Sequence, residues 1–178
     1  MKRIIFCIFS LATLLIACNN NSETKASGST SSSSSSIKMP YEASYASDFT
    51  NAVSDSDLLL VLNTYKYWEA GDLTALRSTM GDSMAVDGAD GFKFNGLTDT
   101  LMKTWQTSRD SMSSVKIEMS AWVKNHSVKD KMDYITTWYK ETDTFKTGRV
   151  DSANYADING LKNGKVIWFS SYKQKLKK

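Results

Sequence analysis

Between residues 55 and 70, apolar side chains recur at every third or fourth position: Leu58, Val61, Leu62, Tyr65 and Trp68 share one stripe. That spacing predicts an amphipathic helix. Ser54, Asp55 and Asp57 supply the acceptor and negative charge that a helix start favours, and Gly71 supplies the residue that ends one. Asp72 then opens a shorter helix carrying Leu73, Leu76 and Met80. Residues 84–86 read as a short strand, residues 87–91 as a glycine-bearing turn, and residues 92–94 as a returning strand. A third helix follows Asn95-Gly96, with Leu97, Leu101 and Trp105 on one face and Met102 beside it.

Past residue 115 the period changes to two. Val115, Ile117, Met119, Ala121 and Val123 fall on one predicted face, opposite Lys116, Glu118, Ser120 and Lys124. Met132, Tyr134, Thr136 and Trp138 then alternate with Asp133, Ile135, Thr137 and Tyr139. Residues 150–158 and 166–173 continue as strands, and Asn163-Gly164 between them is a two-residue hairpin signal. Helices first and hairpin-linked strands later predict an α+β fold, with helices covering one face of an antiparallel sheet. Residues 40–50 carry aromatics without a period and read as an extended arm.

The N-terminal stretch follows other rules. Lys2 and Arg3 precede an apolar run over residues 4–17, broken only by Ser10 and Thr13. The run is short of the roughly 20 residues that a membrane-spanning helix needs. A basic start and a small residue at the end fit a cleaved secretory signal. Leu15-Ile16-Ala17-Cys18 resembles a bacterial lipobox, which implies cleavage before Cys18 and acylation of its thiol. The lipid membrane is thus the first expected partner and the cell envelope the expected location. No acidic run follows Cys18, so the periplasmic side is expected. Residues 19–36 are polar and end in a run of serines. Such a stretch cannot bury enough apolar surface to offset its ordering entropy. As a flexible tether it reaches roughly 25 Å. The expected division is residues 1–17 as signal, 18–36 as tether and 37–178 as a single domain.

Charge and cysteine content narrow the chemistry. Of 22 basic residues, Lys2 and Arg3 leave with the signal, so 20 face 19 acidic ones. A net charge near +1 without a basic stripe argues against nucleic acid as a partner. Cys7 lies in the signal and Cys18 carries the lipid, so the domain holds no disulfide, thiolate nucleophile or thiolate metal site. His126 is the only histidine, which excludes a multi-histidine metal centre. No phosphate-binding loop, dinucleotide fingerprint or nucleophile elbow is present. Neither a metal nor a cofactor is expected.

Two stretches resemble a known family. Residues 65–76, Tyr-Lys-Tyr-Trp-Glu-Ala-Gly-Asp-Leu-Thr-Ala-Leu, followed by Gly81-Asp82, look like the opening motif of the nuclear transport factor 2-like superfamily. That superfamily includes SnoaL-like cyclases and ketosteroid isomerase. Residues 161–166, Leu-Lys-Asn-Gly-Lys-Val, are similar to its last hairpin, and Phe94-Asn95-Gly96-Leu97 sits where members carry a glycine before the third helix. The resemblance covers about residues 55–175. It implies a cone-shaped, cystatin-like α+β barrel: three N-terminal helices packed on a curved antiparallel sheet, with a pocket at the open end. Asp87 falls close to the family's general base and Asp157 near its second acidic residue. The family's helix-one tyrosine aligns with Thr64, and Tyr65 is its neighbour.

Three functions follow as expectations, since a shared fold does not fix an activity. The first is a non-catalytic domain that binds a small apolar ligand or a protein partner, with Tyr65, Tyr134, Trp138, Trp105 and Met119 at its pocket. The second is an isomerase or dehydratase using Asp87 with Asp157 or His126. The third is a structural module dimerising through the outer sheet face, where Trp122 with Phe169 or Ile167 would form an apolar patch. A cavity with converging buried carboxylates favours the second, and an apolar cavity favours the first.

Overall fold

The structure is a computed structural model that describes residues 40–176, apart from 42 and 47. The expected signal, Cys18 and the serine tether lie outside the described residues. A two-residue strand, β1 (Phe49–Thr50), precedes helix α1 (Asp55–Ala70). The helix starts where Ser54 Oγ accepts the Asp57 N–H at 3.0 Å. It stops at Gly71, whose φ of 75° is a left-handed conformation open to glycine. Asp72 accepts the Ala75 N–H at 2.9 Å and starts α2 (Leu73–Ser78). A hairpin of β2 (Met80–Asp87) and β3 (Lys93–Leu97) leads into α3 (Thr98–Asp110). Leu97, expected on the buried face of that helix, precedes its first turn and is 66% exposed. Arg109 of α3 donates to the carbonyls of Trp68 and Glu69, both at 3.1 Å. It thereby sets a cation at the negative end of α1.

Four long strands complete the domain: β4 (Met112–Ser127), β5 (Met132–Phe145), β6 (Val150–Lys162) and β7 (Lys165–Lys175). Asn163 and Gly164 take φ of 53° and 66°, the paired left-handed conformations of the predicted tight hairpin. The sheet has seven strands in the order β1-β4-β5-β6-β7-β2-β3. It is mixed, because β2 runs parallel to β7. A tight turn forces antiparallel pairing, but β3, α3 and three long strands separate β2 from β7 along the chain. The β2–β3 hairpin also parts α3 from the first two helices, so the three do not form one N-terminal block.

Strand β4 carries a bulge. Met119 stands opposite Tyr139 but Ala121 stands opposite Trp138, so Ser120 is the extra residue. One added residue flips every later side chain to the other face. Ala121 and Val123 therefore do not share a face with Val115, Ile117 and Met119. Trp122 stands opposite the fully buried Thr137. It does not form the expected outer patch with Phe169, which packs against the core. On β5 the inward residues are Ile135, Thr137 and Tyr139, and Tyr134 and Trp138 point to the other face.

The core gathers Val61 of α1, Leu101 of α3, Met84 of β2, Ile135 of β5 and Leu161 of β6, each nearly or fully buried. Burial of each such side chain contributes about 1.5–3 kcal/mol. Glu69 of α1 accepts the Ile117 N–H at 3.0 Å, giving a partner to a donor of β4. The N-terminal arm lies on the outward aromatics. Tyr45 Oη is 2.7 Å from Tyr134 Oη, and the rings of Phe49 and Trp168 meet Tyr134 edge-on.

Candidate functional site

An open cavity of about 270 Å³ lies between the helices and the inner sheet face. Strand alternation builds its polar floor. Tyr155, Asp157 and Asn159 share one side of β6, and Thr137, Tyr139 and Glu141 the matching side of β5. The register sets Thr137 opposite Asp157 and Tyr139 opposite Tyr155. Tyr65 reaches the same floor from α1, and Ser171 from β7. Trp68, Trp105 and Phe169 form the apolar wall, with Trp105 edge-on to both others. Ala89, Asp90, Phe92 and Ser108 line the exposed mouth.

Asp157 is fully buried, yet three hydroxyls donate to it. Ser171 bonds Oδ1 at 2.6 Å, and Tyr139 and Tyr65 bond Oδ2 at 2.7 and 3.2 Å. Asn159 in turn donates to Tyr65 Oη at 3.1 Å, and Thr137 Oγ1 lies 2.6 Å from the same oxygen. With Thr137 as the donor in that pair, the single proton of Tyr65 points to Asp157 and the network is polarised towards the carboxylate. Burial disfavours the charged form and outweighs these bonds, so the Asp157 carboxyl is pushed up to about 6. Glu141 is pushed up to about 8, by burial first and then by repulsion from Asp143 and Asp157. Burial also holds the Tyr65 and Tyr139 phenols well above their ordinary range, so both remain donors.

The expected site residues divide. Tyr65, Trp105 and Asp157 line the cavity. Asp87 does not: Val86 takes the inward position, and Asp87 pairs with Lys93 at 3.2 Å. His126 sits at the far end of β4, where Nδ1 is 2.7 Å from Asp133 Oδ1. Tyr134 and Trp138 occupy the opposite face of β5, and Met119 packs against the core without reaching the cavity. Tyr65, rather than Thr64, bonds Asp157; the Thr64 hydroxyl is turned back to the Val61 carbonyl at 2.6 Å.

Glu141, Tyr139, Tyr155, Asn159 and Ser171 escaped the sequence reading. Their signal was a period-two set of hydrogen-bonding residues, Tyr155, Asp157 and Asn159, matched on the preceding strand by Thr137, Tyr139 and Glu141. Among the described residues, no three His, Cys, Asp or Glu side chains are placed to share a metal ion.

Neither a protein-family profile nor a curated protein sequence matches the chain. Solved structures do resemble it. An NTF2-like protein of unknown function from Exiguobacterium sp. 255-15 is 16% identical, with 66% of this chain and 99% of that one aligned and a TM-score of 0.55. A ketosteroid isomerase-like protein from Erwinia carotovora atroseptica is 16% identical over 71% of this chain and 100% of that one, with a TM-score of 0.57. An LEH-like epoxide hydrolase from M. tuberculosis is 7% identical over 68% of this chain and 84% of that one, with a TM-score of 0.58. At these identities the likeness speaks for the backbone alone. The pocket-bearing domain has the nuclear transport factor 2-like fold that its sequence motifs suggest.

Proposed function

We propose that this chain is an envelope lipoprotein whose domain binds a small, mainly apolar molecule in the cavity without transforming it. The Asp157 network carries this reading. Both carboxylate oxygens already accept bonds from the protein's own hydroxyls, which suits a fixed polar anchor better than a group that must take up a proton. Neither Asp87 nor His126 reaches the cavity to act with it. An aromatic wall around a few converging polar groups is the usual make-up of a small-ligand site. Native mass spectrometry of the full chain, purified in mild detergent, tests the reading. A small-molecule adduct that is lost on denaturation is the expected result, and Trp105→Arg should abolish it. An adduct-free chain whose tryptophan emission responds to no apolar compound would sink the idea.

A second reading has one observation in its favour. Asp157 and Glu141 titrate apart, near 6 and 8, so at neutral pH one is mainly a base and the other mainly an acid. In a dehydration, Asp157 would take a C–H proton and the electron pair would form the double bond. The departing hydroxide would leave as water with the proton of Glu141. Ring opening of a nitrobenzisoxazole, which needs only a base in an apolar pocket, separates the two readings. Catalysis requires a rate that rises as Asp157 ionises near pH 6 and then levels off. It also requires a loss of about a hundredfold in Asp157→Asn. Binding without turnover predicts neither.

A further inference from the structure

The ionisable side chains that line the cavity are all acids: Asp90, Glu141 and Asp157. Among the described residues, no lysine, arginine or histidine lines it. The cations nearby already have partners. Lys173, two residues beyond Ser171 on β7, holds its ammonium 5.4 Å over the Tyr155 ring. Arg109 is committed to the carbonyls at the end of α1. Asp143, two residues beyond Glu141, buries Oδ1 without a hydrogen-bond partner. Burial is the first cause that lifts Asp157 and Glu141 above the ordinary carboxylate range; at Glu141 repulsion from Asp143 and Asp157 adds to it, and the Lys173 ammonium offsets only part.

Aromatic rings complete the picture. Tyr139 packs edge-on against Tyr65 at 5.0 Å and stacks on Tyr155 at 5.3 Å. A ring face attracts a cation, and more strongly where water is excluded. An ionised carboxylate offers about four acceptor positions, and the hydroxyls of Ser171, Tyr139 and Tyr65 fill three at Asp157. Fully buried behind those hydroxyls, Asp157 acts on a ligand through its charge rather than by contact.

We propose that the cavity takes an organic cation: a small molecule with an apolar body and a protonated amine, whose ammonium sits at the Glu141 end of the floor, within the field of the buried Asp157 and beside the tyrosine rings. This rests on the ligand-binding reading above and names the class of ligand. The apolar body lies along Trp68, Trp105 and Phe169. An anionic ligand is refused, because the three lining carboxyls outnumber the Lys173 ammonium held over Tyr155.

Three probes of matched size test this on the full chain: 3-phenylpropylamine, 3-phenylpropanol and 3-phenylpropionate, followed by tryptophan emission and by calorimetry at neutral pH. The amine should bind about tenfold or more tighter than the alcohol, and the carboxylate should not bind. Glu141→Gln and Asp157→Asn should each shrink the amine's advantage over the alcohol severalfold, and a cooperative melting transition with an unaltered circular-dichroism spectrum shows that the variants fold. Equal binding of amine and alcohol, or preferred binding of the carboxylate, overturns the cation assignment and leaves the pocket reading standing. Failure of all three to bind overturns both.

Discussion

Folding removes water from the Asp157 carboxyl altogether, and three hydroxyls replace only part of that hydration. A carboxyl that titrates near 6 instead of 3.8 binds its proton more tightly in the folded state than in the unfolded one. Stability from this group is therefore greatest below pH 3.8 and declines as the pH rises through 6. Full ionisation costs about 3 kcal/mol. Glu141 adds a loss of the same sign between pH 4.5 and about 8. Urea unfolding at a series of pH values should thus show stability falling from mildly acidic to mildly basic conditions. Asp157→Asn should flatten the lower part of that slope, and Glu141→Gln the upper part. A stability that rises over this range would mean that the carboxyls are less buried than described. Asp157 could be picked out beforehand because a family motif pointed to it. Glu141 could not, because Lys-Glu-Thr-Asp reads as a solvated strand until the cavity is seen to lie against it.

At the scale of elements, helix boundaries were legible where a single residue decides them. Ser54 and Gly71 bound α1 by local chemistry, and Asn163-Gly164 closes a hairpin for the same reason. The Ser120 bulge was not legible, because alternation looks unbroken on either side of it and only the register against β5 reveals the extra residue. The outward placement of Tyr134 and Trp138 was hidden for a related reason. Both faces of β5 are amphipathic: one carries the cavity's polar groups beside Ile135, and the other carries large rings covered in part by the arm. Gly71 and Gly164 offer a paired test. A Cβ on Gly71 would stand 3.2 Å from Arg109 Nη2, the group that caps α1, whereas nothing lies within 4 Å of one on Gly164. Gly71→Ala should cost about 1–2 kcal/mol from the left-handed backbone alone, and more from displacing Arg109. Gly164→Ala should cost only the backbone part. Equal melting points for the two variants would remove Arg109 from the account.

For the molecule as a whole, the anchoring proposal has its own test. Cys18→Ser should abolish incorporation of labelled fatty acid and shift the protein from the membrane to the soluble fraction, leaving phenylpropylamine binding intact. Retention in the membrane would transfer the anchoring role to another part of the chain. Phe49 pairs with Ser127, beside the start of β5, whereas Glu141 lies nine residues from Met132 along that strand. At about 3.3 Å per residue the two points are roughly 30 Å apart. The described arm therefore meets the sheet at the end of β5 remote from Glu141. Filling the cavity at its Glu141 end should therefore leave the arm's seat on Tyr134 undisturbed.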